Sequence, residues 1–245
     1  MPHSYRAAIV TGSARGIGAA IAERLAQDGF GVVINYSGEA GPAEELRGKI
    51  TAAGGRAIAC KADVADAAAV AAMFDEADRA FAGIDVLVNN AGVMKLAPIG
   101  DCDDDLVDKH LAINLKGVIN TLRQAAKRLG AGGRVINISS SVVGLYQPTY
   151  GVYAATKAGV EALTHIFAKE MGARGITVNA VAPGPVATSL FLDDKDEKTI
   201  EGITKMIPLG RLAEPADIAR VVSFLAGPDG GWVSGQVLRA NGGMI

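Results

Sequence analysis

The sequence predicts a doubly wound α/β domain, a single parallel sheet of about seven strands with helices on both faces. Three observations carry this. Short β-branched runs alternate with longer Ala-rich amphipathic ones along the chain. The strand runs are almost continuously apolar, as strands covered on both faces require. The chain is also 49% hydrophobic and only 20% charged, which supplies a large core and argues against disorder. No linker, repeat or composition break interrupts it, so residues 1–245 read as one domain.

The elements follow in order. The first strand, AAIVT (7–11), runs into the turn TGSARGIG and a helix over 17–28. GVVINY (31–36) leads to a helix over 42–53, and RAIACKAD (56–63) to one over 66–82. DVLVNNA (85–91) precedes a long helical pattern at 103–129, and RVINIS (134–139) precedes one at 153–172. ITVNAVA (176–182) is followed by a helix over 214–226, and QVLRA (236–240) is the last strand. The exception is 189–209, SLFLDDKDEKTIEGITKMIPL, charged in the middle and apolar at both ends. An insertion of that kind between strand and helix reads as a substrate lid.

Charge and cysteine usage narrow the function. A net charge of −2 provides no basic field for nucleic acid. No apolar run approaches the roughly 18 residues of a membrane span, and the start, MPHSYRAAIVTG, lacks a signal-peptide pattern. Two cysteines, Cys60 and Cys102, in a chain this long suggest a reducing compartment without disulfides. The expectation is a cytoplasmic protein acting on a small molecule.

The turn TGSARGIG carries the first functional signal. Its spacing differs from G-x-G-x-x-G, so context must decide its meaning. Gly12 can make the tight turn, Gly16 can admit a pyrophosphate to the backbone, and Gly18 can let the helix pack on the sheet. The free N–H groups at the helix start then favour an anion. NNAG (89–92) ends the fourth strand, where Asn90, Ala91 and Gly92 would face the same crevice. Tyr153 and Lys157, in YAATK, lie four residues apart near a helix start and so share one face. PGPVAT follows the sixth strand, with Pro183, Gly184, Val186 and Thr188.

Taken together, T-G-x-x-x-G-x-G, N-N-A-G, a serine after the fifth strand, Y-x-x-x-K and P-G-x-x-x-T resemble the short-chain dehydrogenase/reductase family, from about residue 5 to the end. Its nearest resemblance is to 3-oxoacyl-[acyl-carrier-protein] reductases and related ketoreductases. The resemblance implies a Rossmann fold and hydride transfer between a nicotinamide and a ketone or secondary alcohol. Tyr153 would be the general acid/base. A tyrosine titrates near 10 in water, and a lysine one helical turn away would lower that value. Lys157 would also hold the nicotinamide ribose. The serine bonded to the substrate carbonyl is Ser140, which lies 13 residues before Tyr153, with Ser141 as the alternative. Asn114 resembles the helix asparagine that holds a water on the proton path. Ser13 and Ile17 fall within the cofactor turn, and Asp63 and Val64 look like adenine contacts, although Asp63 could instead cap a helix.

An NAD-user usually carries an acid at the end of the second strand. This chain has Asn35, Tyr36 and Ser37 there, all uncharged, with Arg15 placed to reach a 2′-phosphate. NADP is favoured over NAD, while Glu39 keeps a ribose-binding acid open. Segments 94–99, 144–151 and 189–209 should line the substrate side. The family implies a homotetramer, and the tail ANGGMI is expected to pack into a neighbouring subunit. Alternatives are an NAD-dependent alcohol dehydrogenase of the same family and a nucleotide-binding regulatory protein without turnover.

Overall fold

A computed structural model describes residues 6–193 and 195–245. Among these the chain runs through β1 (Ala7–Val10), α1 (Gly16–Gln27), β2 (Gly31–Tyr36), α2 (Gly41–Ala52), β3 (Arg56–Lys61), α3 (Ala67–Phe81) and β4 (Ile84–Asn89). It continues through α4 (Asp104–His110), α5 (Gly117–Arg128), β5 (Leu129–Ile138), α6 (Val142–Leu145), α7 (Gly151–Met171) and β6 (Thr177–Pro183). The last elements are α8 (Ser189–Leu192), α9 (Glu197–Lys205), α10 (Pro215–Ala226) and β7 (Val237–Ala240).

All strands are parallel, in the order β3-β2-β1-β4-β5-β6-β7. The chain therefore winds outward in both directions from β1 and β4, and a crevice opens at that reversal beyond the strands' carboxyl ends. Side chains alternate across the sheet. Ala8, Val10, Val86, Val88, Ile136 and Ile138 pack under α1, α2 and α10. Ile9, Leu87 and Val135 pack on the other face against α3, α5 and α7.

The long helix expected over 103–129 is broken into three pieces. Asp103 caps α4 by accepting from the Leu106 N–H at 2.7 Å, a π-helical turn spans Leu111–Lys116, and α5 completes the element. The apolar period alone could not register one extra residue in a turn. The lid region resolves into α8 and α9, whose cap Asp196 accepts from the Thr199 N–H. Strand β5 starts earlier than expected, with a register shift opposite Ile84 and Val86.

Buried polar side chains tie the layers. Thr121 on α5 donates to Asn89 on β4 at 2.6 Å. Asn89 donates to Asn137 on β5 at 2.8 Å, and Asn137 to Thr164 on α7 at 2.9 Å. Asn35, at the end of β2, accepts from the Gly12 N–H at 3.0 Å and donates to the Cys60 and Ala62 carbonyls at 3.3 and 3.0 Å. It is 1% exposed, so each group it leaves behind would be stranded away from water. Asn35→Ala is expected to destabilise the protein by at least about 2 kcal/mol. The measurement is the urea midpoint, which falls while the slope is retained; an unchanged midpoint would refute the bracket.

Candidate active site

The turn after β1 is built from its main chain outward. Gly12 and Gly16 both take positive φ, +60° and +59°, which residues with a Cβ rarely adopt. Gly12 also lies against Ala91, whose Cα would be 2.8 Å from a Cβ there. Gly18 faces Gly12 and Ser13 across the turn at similar closeness. Thr11 and Asn90 fasten the turn to the end of β4. Thr11 Oγ1 accepts from the Asn90 and Ala91 N–H groups, and the Asn90 amide donates to the Thr11 and Gly12 carbonyls at 2.9 and 3.0 Å.

Helix α1 starts without a side-chain cap and without an acid in its first turn, whereas α3, α4 and α9 are each capped by an aspartate. Gly16, Ile17 and Gly18 line a cleft of about 420 Å³. Open N–H groups at a helix N-terminus in a cleft wall form an anion site. The bed is therefore suited to a dinucleotide's pyrophosphate. Arg15 lies in the same wall, exposed, and makes no ion pair among the described residues. Ser37, Asp63, Val64, Ala91, Gly92, Gly184, Val186 and Thr188 also reach the cleft. Asp63 does not cap α3; it accepts from the Ala65 N–H, and Asp66 is the cap.

Beyond β5 the three serines 139–141 separate. Ser139 donates to Glu161 at 2.7 Å, and Ser141 donates to the Ala182 carbonyl and accepts from Asn241. Ser140 lies beside the Tyr153 phenol, and its Oγ accepts from the Val142 N–H at 3.4 Å. The Tyr153 ring meets His110 and Tyr150 edge-on at centroid distances of 6.3 and 6.5 Å. Lys157 is 4% exposed. Its Nζ donates to the Ile138 carbonyl at 2.8 Å and lies 5.7 Å from the Tyr153 ring centroid.

These environments correct the expected titration of the tyrosine. Burial pushes the Tyr153 phenol up to about 12, with Ser140 pulling the other way and Tyr150 adding to the rise. Burial likewise pushes Lys157 down to about 8. The lysine was expected to lower the tyrosine's value. Its ammonium is instead directed to a main-chain carbonyl, and loss of water dominates the phenol's environment. Tyr153 is a neutral phenol near pH 7.

The order of these groups along the sheet, from glycine turn to N-N-A-G to Ser140, Tyr153 and Lys157, matches known proteins. The pattern described as Enoyl-(Acyl carrier protein) reductase matches residues 12–245. A short-chain type dehydrogenase/reductase of Picea abies is 46% identical over 98% of this chain and 92% of its own length. The chain belongs to the short-chain dehydrogenase/reductase family. It is an oxidoreductase. An NADPH-dependent aldehyde reductase-like protein, chloroplastic, of Arabidopsis thaliana is 43% identical over 100% of this chain and 96% of its own. A short chain dehydrogenase of Burkholderia cenocepacia, solved in complex with NADP, superposes with a TM-score of 0.93 at 38% identity, covering 98% of this chain and 97% of that one.

Two expected site residues of this dehydrogenase, Ser13 and Tyr36, are placed away from the cleft, and a third, Asn114, is engaged at its edge. Ser13 is fully buried, its hydroxyl donating to the Val10 carbonyl and accepting from the Asn35 N–H. Tyr36 packs on the core beneath α1 and α2, because strand alternation sends it to the same side as Val32 and Ile34. Asn114, in the π turn, is 0% exposed. Its oxygen accepts from the Val93 N–H at 2.8 Å, and its amide donates to the Val93 carbonyl and to Thr156. The side chain is thus occupied as a bracket, across Gly92 from the Lys157 ammonium. Pro183 reaches the cleft as expected.

Leu145, Gln147 and Tyr150, from the 144–151 segment expected on the substrate side, line the cleft, and so does Met244, which the sequence reading did not single out. Tyr150 precedes Tyr153 by one helical turn, so the two share a face. The tail touches its own chain, with Met244 in the cleft and Ile245 against Gly144. Among the described residues no helix is long and apolar enough to cross a membrane.

Proposed function

We propose that the protein is an NADP(H)-dependent reductase of ketones or aldehydes, with Tyr153 as the proton donor and Ser140 beside it. The observation that carries this is one cleft holding both the uncapped start of α1 and the cluster of Ser140, Tyr153 and Lys157. The relatives named above, one an NADPH-dependent reductase and one solved with NADP, support the cofactor. The N–H groups at Gly16–Gly18 would hold the pyrophosphate, Arg15 the 2′-phosphate, and Asp63 and Val64 the adenine. When bound, the nicotinamide supplies hydride to the carbonyl carbon.

The chain's own residues manage the proton. The Ser140 hydroxyl orients the carbonyl oxygen by a hydrogen bond, next to the Tyr153 O–H. As charge builds on that oxygen, the phenol transfers its proton, since an alkoxide is more basic than a phenolate held near 12. The Lys157 ammonium then stabilises the phenolate left behind. The alternatives, a preference for NAD and a binding protein without turnover, are outcomes of the same tests. We also propose a homotetramer: Leu111, Ile119 and Ile166 expose apolar side chains along α4 to α7, a surface that soluble monomers seldom leave open.

Tyr153→Phe is expected to lower the rate of ketone reduction about 10²–10⁴-fold with NADPH affinity retained; comparable turnover would end the assignment. Arg15→Ala is expected to weaken NADPH by about ten- to a hundredfold, for a charge-assisted pair of roughly 1.5–3 kcal/mol, and NADH far less. Equal weakening of both in a fluorescence titration would make Arg15 structural and remove the preference. The pH dependence follows from Lys157. Its ammonium exists below about 8 and is lost above it, while Tyr153 stays protonated, so kcat/KM for reduction is expected to fall as pH rises through about 8. A profile flat to pH 10 would contradict this. Light scattering should give a mass of about 100 kDa, four times the 25.1 kDa chain; a stable 25.1 kDa species would reject the tetramer.

A further inference from the structure

The cleft is chemically divided. Its charged lining side chains among the described residues are Arg15, Asp63 and Lys157. The first two belong to the segments after β1 and β3, on the cofactor side, and the Lys157 ammonium is directed to the Ile138 carbonyl. The other half is walled by Met94, Leu145, Leu190, Ile203, Met206 and Met244. Tyr150, Gln147 and Ser189 are its polar members, and none carries a charge at neutral pH, since burial pushes the Tyr150 phenol further up.

One wall is the chain's own terminal segment, and it is built rather than draped. Asn241 is 6% exposed. Its amide donates to Ser141 Oγ at 3.1 Å and its oxygen accepts from the Gly243 N–H at 3.1 Å. Gly242 and Gly243 follow with φ of +69° and +87°, which turn the chain sharply enough to bring Met244 to the cleft. The Gly242 carbonyl accepts from the Leu209 N–H at 3.1 Å, tying the segment to the stretch after α9. Ser141 thus fixes the tail while its neighbour Ser140 contacts Tyr153.

Resting on the reductase reading above, we infer that this half selects a neutral, apolar carbonyl compound and that Met244 is a specificity-determining residue within it. A substrate carrying a carboxylate or phosphate near its carbonyl would bury that charge against thioethers and aliphatic carbon with no cation to receive it, which is strongly unfavourable. Methionines from three separate segments supply a polarizable, unbranched surface that adapts to varied apolar shapes. Breadth toward neutral carbonyls and exclusion of anions follow from the same wall.

The test compares an aromatic α-keto ester with its free α-keto acid at saturating NADPH. The ester's kcat/KM is expected to exceed the acid's by at least about a hundredfold. Equal values would overturn the inference while leaving the reductase reading intact, whereas no turnover of either would overturn both. Met244→Lys is expected to shift the ester-to-acid ratio toward the acid by about tenfold or more, with the Kd of NADPH unchanged. A folded variant with an unaltered ratio would remove Met244 from the substrate wall. If lysine prevents folding, Met244→Ala reads the same wall without charge: KM for the ester is expected to rise about tenfold, and an unchanged KM would overturn the assignment.

Discussion

A helix that begins with unsatisfied N–H groups inside a cleft is an unstable thing to build, and the architecture here follows from that requirement. The groups must stay open for an anion, so the turn before α1 cannot satisfy its own main chain with a cap. It is held from the outside instead. Asn35 takes the Gly12 N–H from the β2 side, and Asn90 takes the Thr11 and Gly12 carbonyls from the β4 side. Two amides, one on each strand flanking β1, fix a turn whose glycines supply conformational freedom but no contacts. The end of β2 is uncharged for the same reason: Asn35 is spent on the turn and on β3.

The second half of the site rests on a comparable device. Thr121, Asn89, Asn137 and Thr164 form a buried ladder across α5, β4, β5 and α7. Helix α7, which carries Tyr153 and Lys157, is therefore registered against the sheet by directional bonds as well as by packing. Asn114 adds a third tie, joining the π turn to Val93 just beyond Gly92. Such networks, when every member is satisfied, specify one arrangement where apolar contact alone would tolerate sliding.

Much of this was legible in the sequence, and the misses have physical causes. Strand–helix alternation and apolar runs gave all the strands. The central ones are covered on both sides and contain little else, while the edge strands β3 and β7 are partly exposed and were marked by their place in the alternation. Tyr153, Lys157 and the glycine turn announced themselves by spacing. The errors came where a side chain's direction mattered more than its position. Tyr36 sits at the right place on β2 but points to the core, and Ser13 sits in the turn but faces inward. The π turn itself could not be read from an apolar period, which hides an extra residue. The titration of Tyr153 was misjudged because a spacing shows that a lysine is near, not which atom its ammonium faces. The approach of Met244 to the cleft escaped because long-range pairing such as Asn241 with Ser141 leaves no local trace.

The three serines at the end of β5 carry a consequence of their own. Each is used differently: Ser139 is bonded to a helix carboxylate, Ser140 lies beside the phenol, and Ser141 is bonded to the tail. Chemically they are identical; only their positions beyond the end of β5 tell them apart. The strand thus works as an index that converts counting into direction, and the protein is far more exposed to an inserted or deleted residue here than to a substitution. One residue inserted within β5 would keep a serine at the phenol, yet set Ile138 where Ser139 meets Glu161 and push Ser141 out of the set.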